Sequence, residues 1–341
     1  MSAMNKKYFI LHSVCIPVAG AKNKVICDLQ RNRIYKIGNS IFELFENKNY
    51  VNLESEVYSS PDNKELINAL IALEEMELGI FSDTYDVFPK LNDVFKYPGE
   101  ISNAIIINGK QIENKYSMIV SELNLLGVGG LELRFYDRVE PKLLFSILDV
   151  FDRSTIRSIS LILQPIASNY LTLLINKYQR ISSIHIHNWN NEYVLESFIP
   201  ENTNLQISKQ NSQISDNSCC GTVNLAYFNS NIKFYTQSLK FNNCLNKKVT
   251  IMGNGDIKNC PSTHDVFGNV LRNDLKKIVV LNQFRKYWNV SKDFINVCSD
   301  CEYRYVCMDC RAFTLDSNNV GDINLSKPEK CKYDPYSGNW N

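Results

Sequence analysis

The sequence predicts an α/β protein whose three parts follow one another along the chain: a strand-and-helix module over residues 1–95, a repeated βα domain over 96–220 and a loop-rich cysteine domain over 221–341. Three observations carry this reading. Strand-like segments precede helical ones in the first part. Short apolar runs alternate with amphipathic helical patterns from about residue 100. Seven of the eleven cysteines fall between Cys244 and Cys331.

In the first part, YFILHSV, KVICDLQ and RIYKIG are rich in β-branched and aromatic residues and are separated by the turn-formers Gly20 and Asn32. NSIFELFE then offers Asn39 or Ser40 as a helix N-cap. After Pro61, NKELINALIALEEMELG places Leu66, Leu70, Leu73 and Met76 on one helical face, with Gly79 as the stop. Three strands followed by helices suggest a small winged-helix-like module.

In the second part AIIIN precedes ENKYSMIVSELNLLG, GLELRFY precedes EPKLLFSILDVFD, and SISLILQ precedes SNYLTLLINKYQ, with SIHIH following. Runs nearly continuous in Ile, Leu and Val are expected of strands covered by helices on both faces. This predicts a parallel sheet or partial barrel. Arg134, Tyr136, Asp137, Glu140, His185 and His187 stand near strand ends, where such folds place pockets. Strand alternation puts His185 and His187 on one face; salt bridges and barrel filling explain the same residues. The polar stretch SKQNSQISDNS, residues 208–218, is expected to be loop or linker.

Beyond Cys220 the periodicity fades. KVTIMGNGDIKNC offers a hairpin turn over Gly253 to Asp256, and so few regular elements call for a metal staple. Cys298, Cys301, Cys307 and Cys310 lie in CSDCEYRYVCMDC, with Cys244 and Cys260 before them and Cys331 after. Thiolates at two-residue gaps are soft ligands that suit iron-sulfur clusters or zinc. Structural zinc sites of four thiolates are the competing expectation. His264, four residues after Cys260, is a possible additional ligand, although a lone histidine is more often an ordinary surface or core residue. Cys15, Cys27, Cys219 and Cys220 show no ligand spacing and are expected to be inert thiols. Trp288 and Trp340 flank the cysteine region as candidate shields or plain packing.

Lys and Arg total 37 against 36 for Asp and Glu, so no overall field draws the chain to nucleic acid or an anionic membrane. No stretch reaches the roughly 20 apolar residues of a membrane span. KKYFILHSVCIPVAG imitates a secretion signal, but His12, Ser13 and Pro17 interrupt it, and a cytoplasmic protein is expected.

The cysteine pattern resembles the SPASM domain appended to radical S-adenosylmethionine enzymes: Cys244, then Gly255 separated by four residues from Cys260, then a block CX2CX5CX2C one residue shorter than the family's CX2CX5CX3C, then Cys331. The resemblance implies two [4Fe-4S] clusters, one on Cys244, Cys260 and Cys310, the other on Cys298, Cys301, Cys307 and Cys331. The first then lacks a fourth cysteine, a place open to a peptide side chain or to His264. The middle domain resembles a degenerate radical S-adenosylmethionine barrel. No cysteine occurs between Cys27 and Cys219, so the CX3CX2C motif is missing, and Asp137, Arg138, Val139, Glu140 and Pro141 stand where the family carries Gly-Gly-Glu-Pro. No S-adenosylmethionine cleavage is expected. The strand-then-helix order at the front resembles the RiPP recognition element, which binds a precursor's leader by strand addition.

Most of the chain resembles the SPASM-domain peptide maturases of the grasp-with-spasm system, through CIPVAGAKNKVICDLQR, CEYRYVCMDCRAF and KCKYDPYSGNW. That implies maturation of a ribosomally made precursor peptide together with an ATP-grasp ligase. Three roles are compatible: a binding, scaffold or electron-transfer component; an enzyme whose auxiliary cluster modifies a peptide side chain; and a peptide scaffold whose metals, zinc included, are staples only.

Overall fold

In the computed structural model, which describes residues 6–190, 205–315, 319–320 and 323–340, the chain is mixed α/β and divides into two units. Met1–Phe95, Gly221–Cys244 and Asn289–Asn341 form one; Lys96–Cys220 and Leu245–Trp288 form the other.

The first unit opens with more strands than the three expected. YFILHSV is cut short because Cys15 N–H donates to His12 O at 2.8 Å and turns the chain. The result is β1 (Tyr8–Leu11), β2 (Cys15–Ala19), β3 (Lys24–Asp28) and β4 (Arg33–Ile37), followed by α1 (Asn39–Leu44), β5 (Tyr50–Asn52), α2 (Asn63–Glu75) and β6 (Gly79–Ser82). They make two antiparallel sheets, ordered β5-β1-β6 and β2-β3-β4. Phe9, Leu11, Ile26, Leu53, Leu70 and Leu78 fill the shared core. Burying each such side chain contributes about 1.5–3 kcal/mol.

Gly38, not Asn39 or Ser40, occupies the N-cap of α1, and it makes no side-chain cap bond. Leu66, Leu70 and Leu73 face inward from α2 as expected, but Met76 sits at its C-cap, half exposed. The helix ends where Glu77 takes φ 57°. Gly79 opens β6 instead, because a Cβ there would meet Ile10 O at 2.5 Å.

The second unit holds an eight-stranded sheet. β7 (Asn103–Ile107), α3 (Tyr116–Leu125), β8 (Gly130–Arg134), α4 (Pro141–Val150), β9 (Ser158–Leu163), α5 (Ser168–Lys177) and β10 (Ile181–Ile186) follow the apolar runs and amphipathic helices closely. β11 (Gln206–Lys209), β12 (Lys248–Ile251), β13 (Asp256–Lys258) and β14 (Gly268–Asn269) complete it in the order β11-β10-β9-β8-β7-β12-β13-β14. The pairings from β11 through to β12 are parallel, and β13 and β14 add antiparallel.

Leu131, Leu133, Ile159, Leu161, Ile184 and Ile186 point to the helix-covered core, from which Leu144, Ile147, Leu171 and Leu174 face back. The predicted hairpin exists: Gly255 takes φ 89°, and Met252 N donates to Asp256 O at 2.9 Å. Its strand β12 pairs with β7 and so extends this sheet. Part of the polar 208–218 stretch is strand, since Ser208 and Lys209 close the edge strand β11, where one side needs no apolar cover.

The remaining stretches of the first unit are turns, the helix α6 (Ile232–Ser238) and two-residue strand pairs. Asn231 caps α6 by accepting from Phe234 N at 2.9 Å. Tyr235 of α6 and Val306 pack on Val18, Val25 and Cys27 of β2 and β3. Among the described residues, no helix is long and apolar enough to cross a membrane.

Candidate metal centre

Successive tight turns gather the cysteine block. Val297 takes φ 67°, and then Cys301 N donates to Cys298 O (3.1 Å), Arg304 N to Cys301 O (3.2 Å) and Cys307 N to Tyr303 O (2.9 Å). A separate turn, Cys331 N to Pro328 O at 3.1 Å, presents the last cysteine. Cys298, Cys301, Cys307 and Cys331 line a single cavity, walled by Val223, Phe228, Tyr303, Tyr333 and Trp340. This brings together four of the seven cysteines singled out from the sequence. The void is about 20 Å³, room for roughly one water molecule, so a larger group enters only if the wall side chains move outward.

Two charged side chains, Lys292 and Arg304, also line this cavity. Lys292, 5% exposed, donates from Nζ to Cys307 Sγ at 3.1 Å and to Met308 O at 3.2 Å. Burial opposes its charge, but Cys307, Cys298 and Asp309 outweigh that and hold its pKa above the ordinary lysine value. Burial pushes the Cys298 thiol up to about 12 and raises Cys301 and Cys307 as well, while Lys292 works against the rise. The thiols therefore keep their protons until a cation of sufficient affinity displaces them.

Behind the block lies a buried polar network. Arg311 Nη2 donates to Asp309 Oδ1 at 2.6 Å, and Asn242 Nδ2 to Asp309 Oδ2 at 2.6 Å. Asn243 brackets Met308, donating to Cys307 O (2.9 Å) and accepting from Asp309 N (2.9 Å). In front, the segment from β2 to β3 docks on the block: Ala21 N donates to Asp300 O (2.7 Å), and Arg304 Nη1 to Ala19 O (2.6 Å). Tyr333 donates to Glu302 and accepts from Asn23 Nδ2 at 3.0 Å. CIPVAGAKNKVICDLQR, CEYRYVCMDCRAF and KCKYDPYSGNW, far apart in the chain, thus meet in one unit.

The other predicted ligands are not gathered in this way. Cys244 is half-buried and Cys310 buried beside Gly221 in the first unit; Cys260, buried after β13, belongs to the second. His264 is exposed. The four cysteines line the cavity, but among the described residues no group of three or more His, Cys, Asp or Glu is placed to hold a metal ion. Four thiols are a donor set that both iron-sulfur clusters and structural zinc use. Trp340 walls the cavity, whereas Trp288 lies in the core of the other unit.

Of the strand-end residues, Asp137 and Glu140 are exposed, and Glu140 is the N-cap of α4 ahead of Pro141. His187 is fully buried just past β10 with both ring nitrogens used, Nε2 with Phe135 O (3.0 Å) and Nδ1 accepting from Ile214 N (3.2 Å). His185 bonds Ser208 and Gln210. Arg134 and Tyr136 converge instead on Asn217 and Cys220. Cys15 and Cys27 are buried, and burial pushes both thiols up to about 12.

Sequence reasoning missed Lys292, Asn242, Asn243, Asp309 and Arg311. Only the last two carried a signal, as charges set inside and just after the cysteine block. No family model matches this chain, and no curated protein compared with it gives a match.

Proposed function

We propose that this chain is a cytoplasmic, cluster-carrying component of a peptide maturation system, which binds a ribosomally made precursor peptide and acts with an ATP-grasp ligase. One observation carries the reading: Cys298, Cys301, Cys307 and Cys331 line one cavity, with the Lys292 ammonium against the Cys307 sulfur. These four residues would hold one [4Fe-4S] cluster, and Cys244, Cys260 and Cys310 the other. Such clusters supply electron storage or a Lewis-acidic iron to a bound peptide.

The parallel βα repeats support a degenerate radical S-adenosylmethionine barrel, and the lack of any cysteine between Cys27 and Cys219 leaves S-adenosylmethionine cleavage without ligands. The leader peptide adds to β4, an edge strand with Arg33 and Lys36 exposed. The protein's own task in this reading is to capture the leader and hold the core peptide for modification.

Anaerobic reconstitution with iron and sulfide tests the cofactor, with iron and sulfide analysis and visible absorbance as readouts. Brown protein with matched iron and sulfide supports the clusters; colourless protein holding stoichiometric zinc overturns them. The mass of a precursor peptide incubated with the ligase, with and without this chain, tests the task. A product and a peptide affinity that are both indifferent to the chain remove it from maturation.

A further inference from the structure

We propose that Cys219 and Cys220 form a redox-active dithiol that takes a disulfide as substrate, with Arg134 as its positioning residue. The pair uses none of the seven cysteines assigned to clusters, and all of its partners named here lie in the second unit.

Arg134 ends β8, and open α/β sheets bind ligands beyond the carboxyl ends of their parallel strands. Its side chain is 5% exposed, and Glu132 accepts from Nε at 2.5 Å. Asn217 Oδ1 accepts from Nη1 at 3.2 Å and from Tyr136 OH at 2.5 Å. The guanidinium is thereby fixed with Nη2 at 3.3 Å from Cys220 Sγ. A buried cation held against one sulfur is the environment that makes a thiol a nucleophile.

Cys219 precedes it in a short turn, Asn217–Cys219, that Asp216 caps by accepting from Ser218 N at 2.7 Å. Cys219 is exposed and Cys220 half-buried, so an incoming disulfide meets both. The neighbouring Cys219 and Arg134 hold the Cys220 thiol below the ordinary range against the opposing effect of burial, while the Cys219 thiol, whose Sγ donates to Asp216 O at 3.6 Å, is raised in turn. The titratable groups facing the pair are Arg134, Glu132 and Tyr136.

The chemistry is thiol–disulfide exchange. Cys220 thiolate attacks one sulfur of a disulfide RSSR, the S–S bond breaks, and RS⁻ leaves and takes a proton from water. Cys219 gives up its proton to water and attacks the Cys220 sulfur of the mixed disulfide, expelling a second RS⁻. The two cysteines lose two electrons in forming their bond, and RSSR gains them as two thiols. Adjacent Cα atoms lie about 3.8 Å apart, closer than a relaxed disulfide allows, so the product is strained and readily reduced again. That suits a transfer site and not a structural bond.

Two measurements on the full-length, iron-loaded protein test this. First, iodoacetamide alkylation with peptide mapping is run across pH. Cys220 is expected to label ahead of Cys219, with a half-maximal rate well below the ordinary thiol pKa of about 8.5. Arg134→Gln should slow labelling at pH 6.5 by roughly 10-fold or more, and the wild-type pH profile decides should that variant not fold. Second, on exposure to glutathione disulfide, wild type should end with Cys219 and Cys220 joined and no glutathione attached. Cys219→Ser should keep glutathione on position 220. Three results overturn the proposal: an ordinary thiol profile at Cys220, glutathione retained on the wild type, or Cys220 labelled only after iron is removed, which would make it a cluster ligand.

Discussion

Asp309 and Arg311 form an ion pair at 2.6 Å with side chains 1% and 0% exposed, inside and just after the cysteine block. Arg311 also donates to Ser326 O (2.8 Å) and Asn324 O (3.2 Å), and so ties the block to the strand pair ahead of Cys331. Removing one partner of such a pair strands a charge without water. Arg311→Met should cost about 3–5 kcal/mol, read as a lowered denaturant midpoint. Asp309→Asn combined with Arg311→Met should recover part of the loss, because no charge is then left uncompensated. A single variant as stable as wild type would remove the pair from any account of how this region holds together.

Gly20 makes a second, steric prediction. A Cβ at this position would lie 2.6 Å from Glu302 N and 3.1 Å from Glu302 Cβ. Backbone cannot rotate out of the way, so Gly20→Ala should push the β2–β3 segment off the cysteine block at a cost of about 1–3 kcal/mol. Thermal unfolding gives the magnitude. Gly38→Ala, with only Ser40 Oγ at 3.9 Å, is the control expected to change little.

What the sequence made legible follows from the range of the forces involved. The βα repeats were readable because α3, α4 and α5 each bury their own apolar stripe, and β7 to β10 are each rich in Ile or Leu, all local properties. β6 and the pairing of β12 with β7 were not, because contacts across tens of residues or more decide them. The same division holds at the site. Spacing alone singles out Cys298, Cys301 and Cys307. Lys292 reaches Cys307 across fifteen positions, and Arg134 reaches Cys220 across eighty-six, so neither pairing leaves a periodic trace.

Asp28 gives a pH dependence. Burial alone would raise its pKa, but the backbone and guanidinium donors of Arg31 (3.0 and 2.5 Å) and the Gln30 N–H (3.1 Å) outweigh it, and the carboxyl titrates below its ordinary value. A group depressed in the folded state stabilises the fold fully above its unfolded pKa, about 3.9, and loses that contribution as pH falls through the folded value. Asp28→Asn should therefore be less stable at neutral pH by about 1.5–3 kcal/mol. The gap to wild type should close in acid below about pH 4. Parallel melting curves across the whole range would contradict this.

Lys292 offers the sharpest test of the cavity itself. Its Nζ is among the charges buried in the first unit, and it lines the cavity that four cysteines also line. Metal-bound thiolates there would concentrate negative charge in a site with little water to screen it, and the ammonium 3.1 Å from Cys307 Sγ is placed to offset that charge. Lys292→Met keeps the length and apolar packing of the side chain but removes the charge and the hydrogen bond. Substitutions of this kind beside a metal centre weaken retention by roughly 10- to 100-fold. Iron remaining after timed exposure to a chelator should accordingly fall faster in Lys292→Met than in wild type, while the helical signal stays unchanged. Were Lys292 only a packing residue, Met would serve as well as Lys, and the two proteins would lose iron at the same rate.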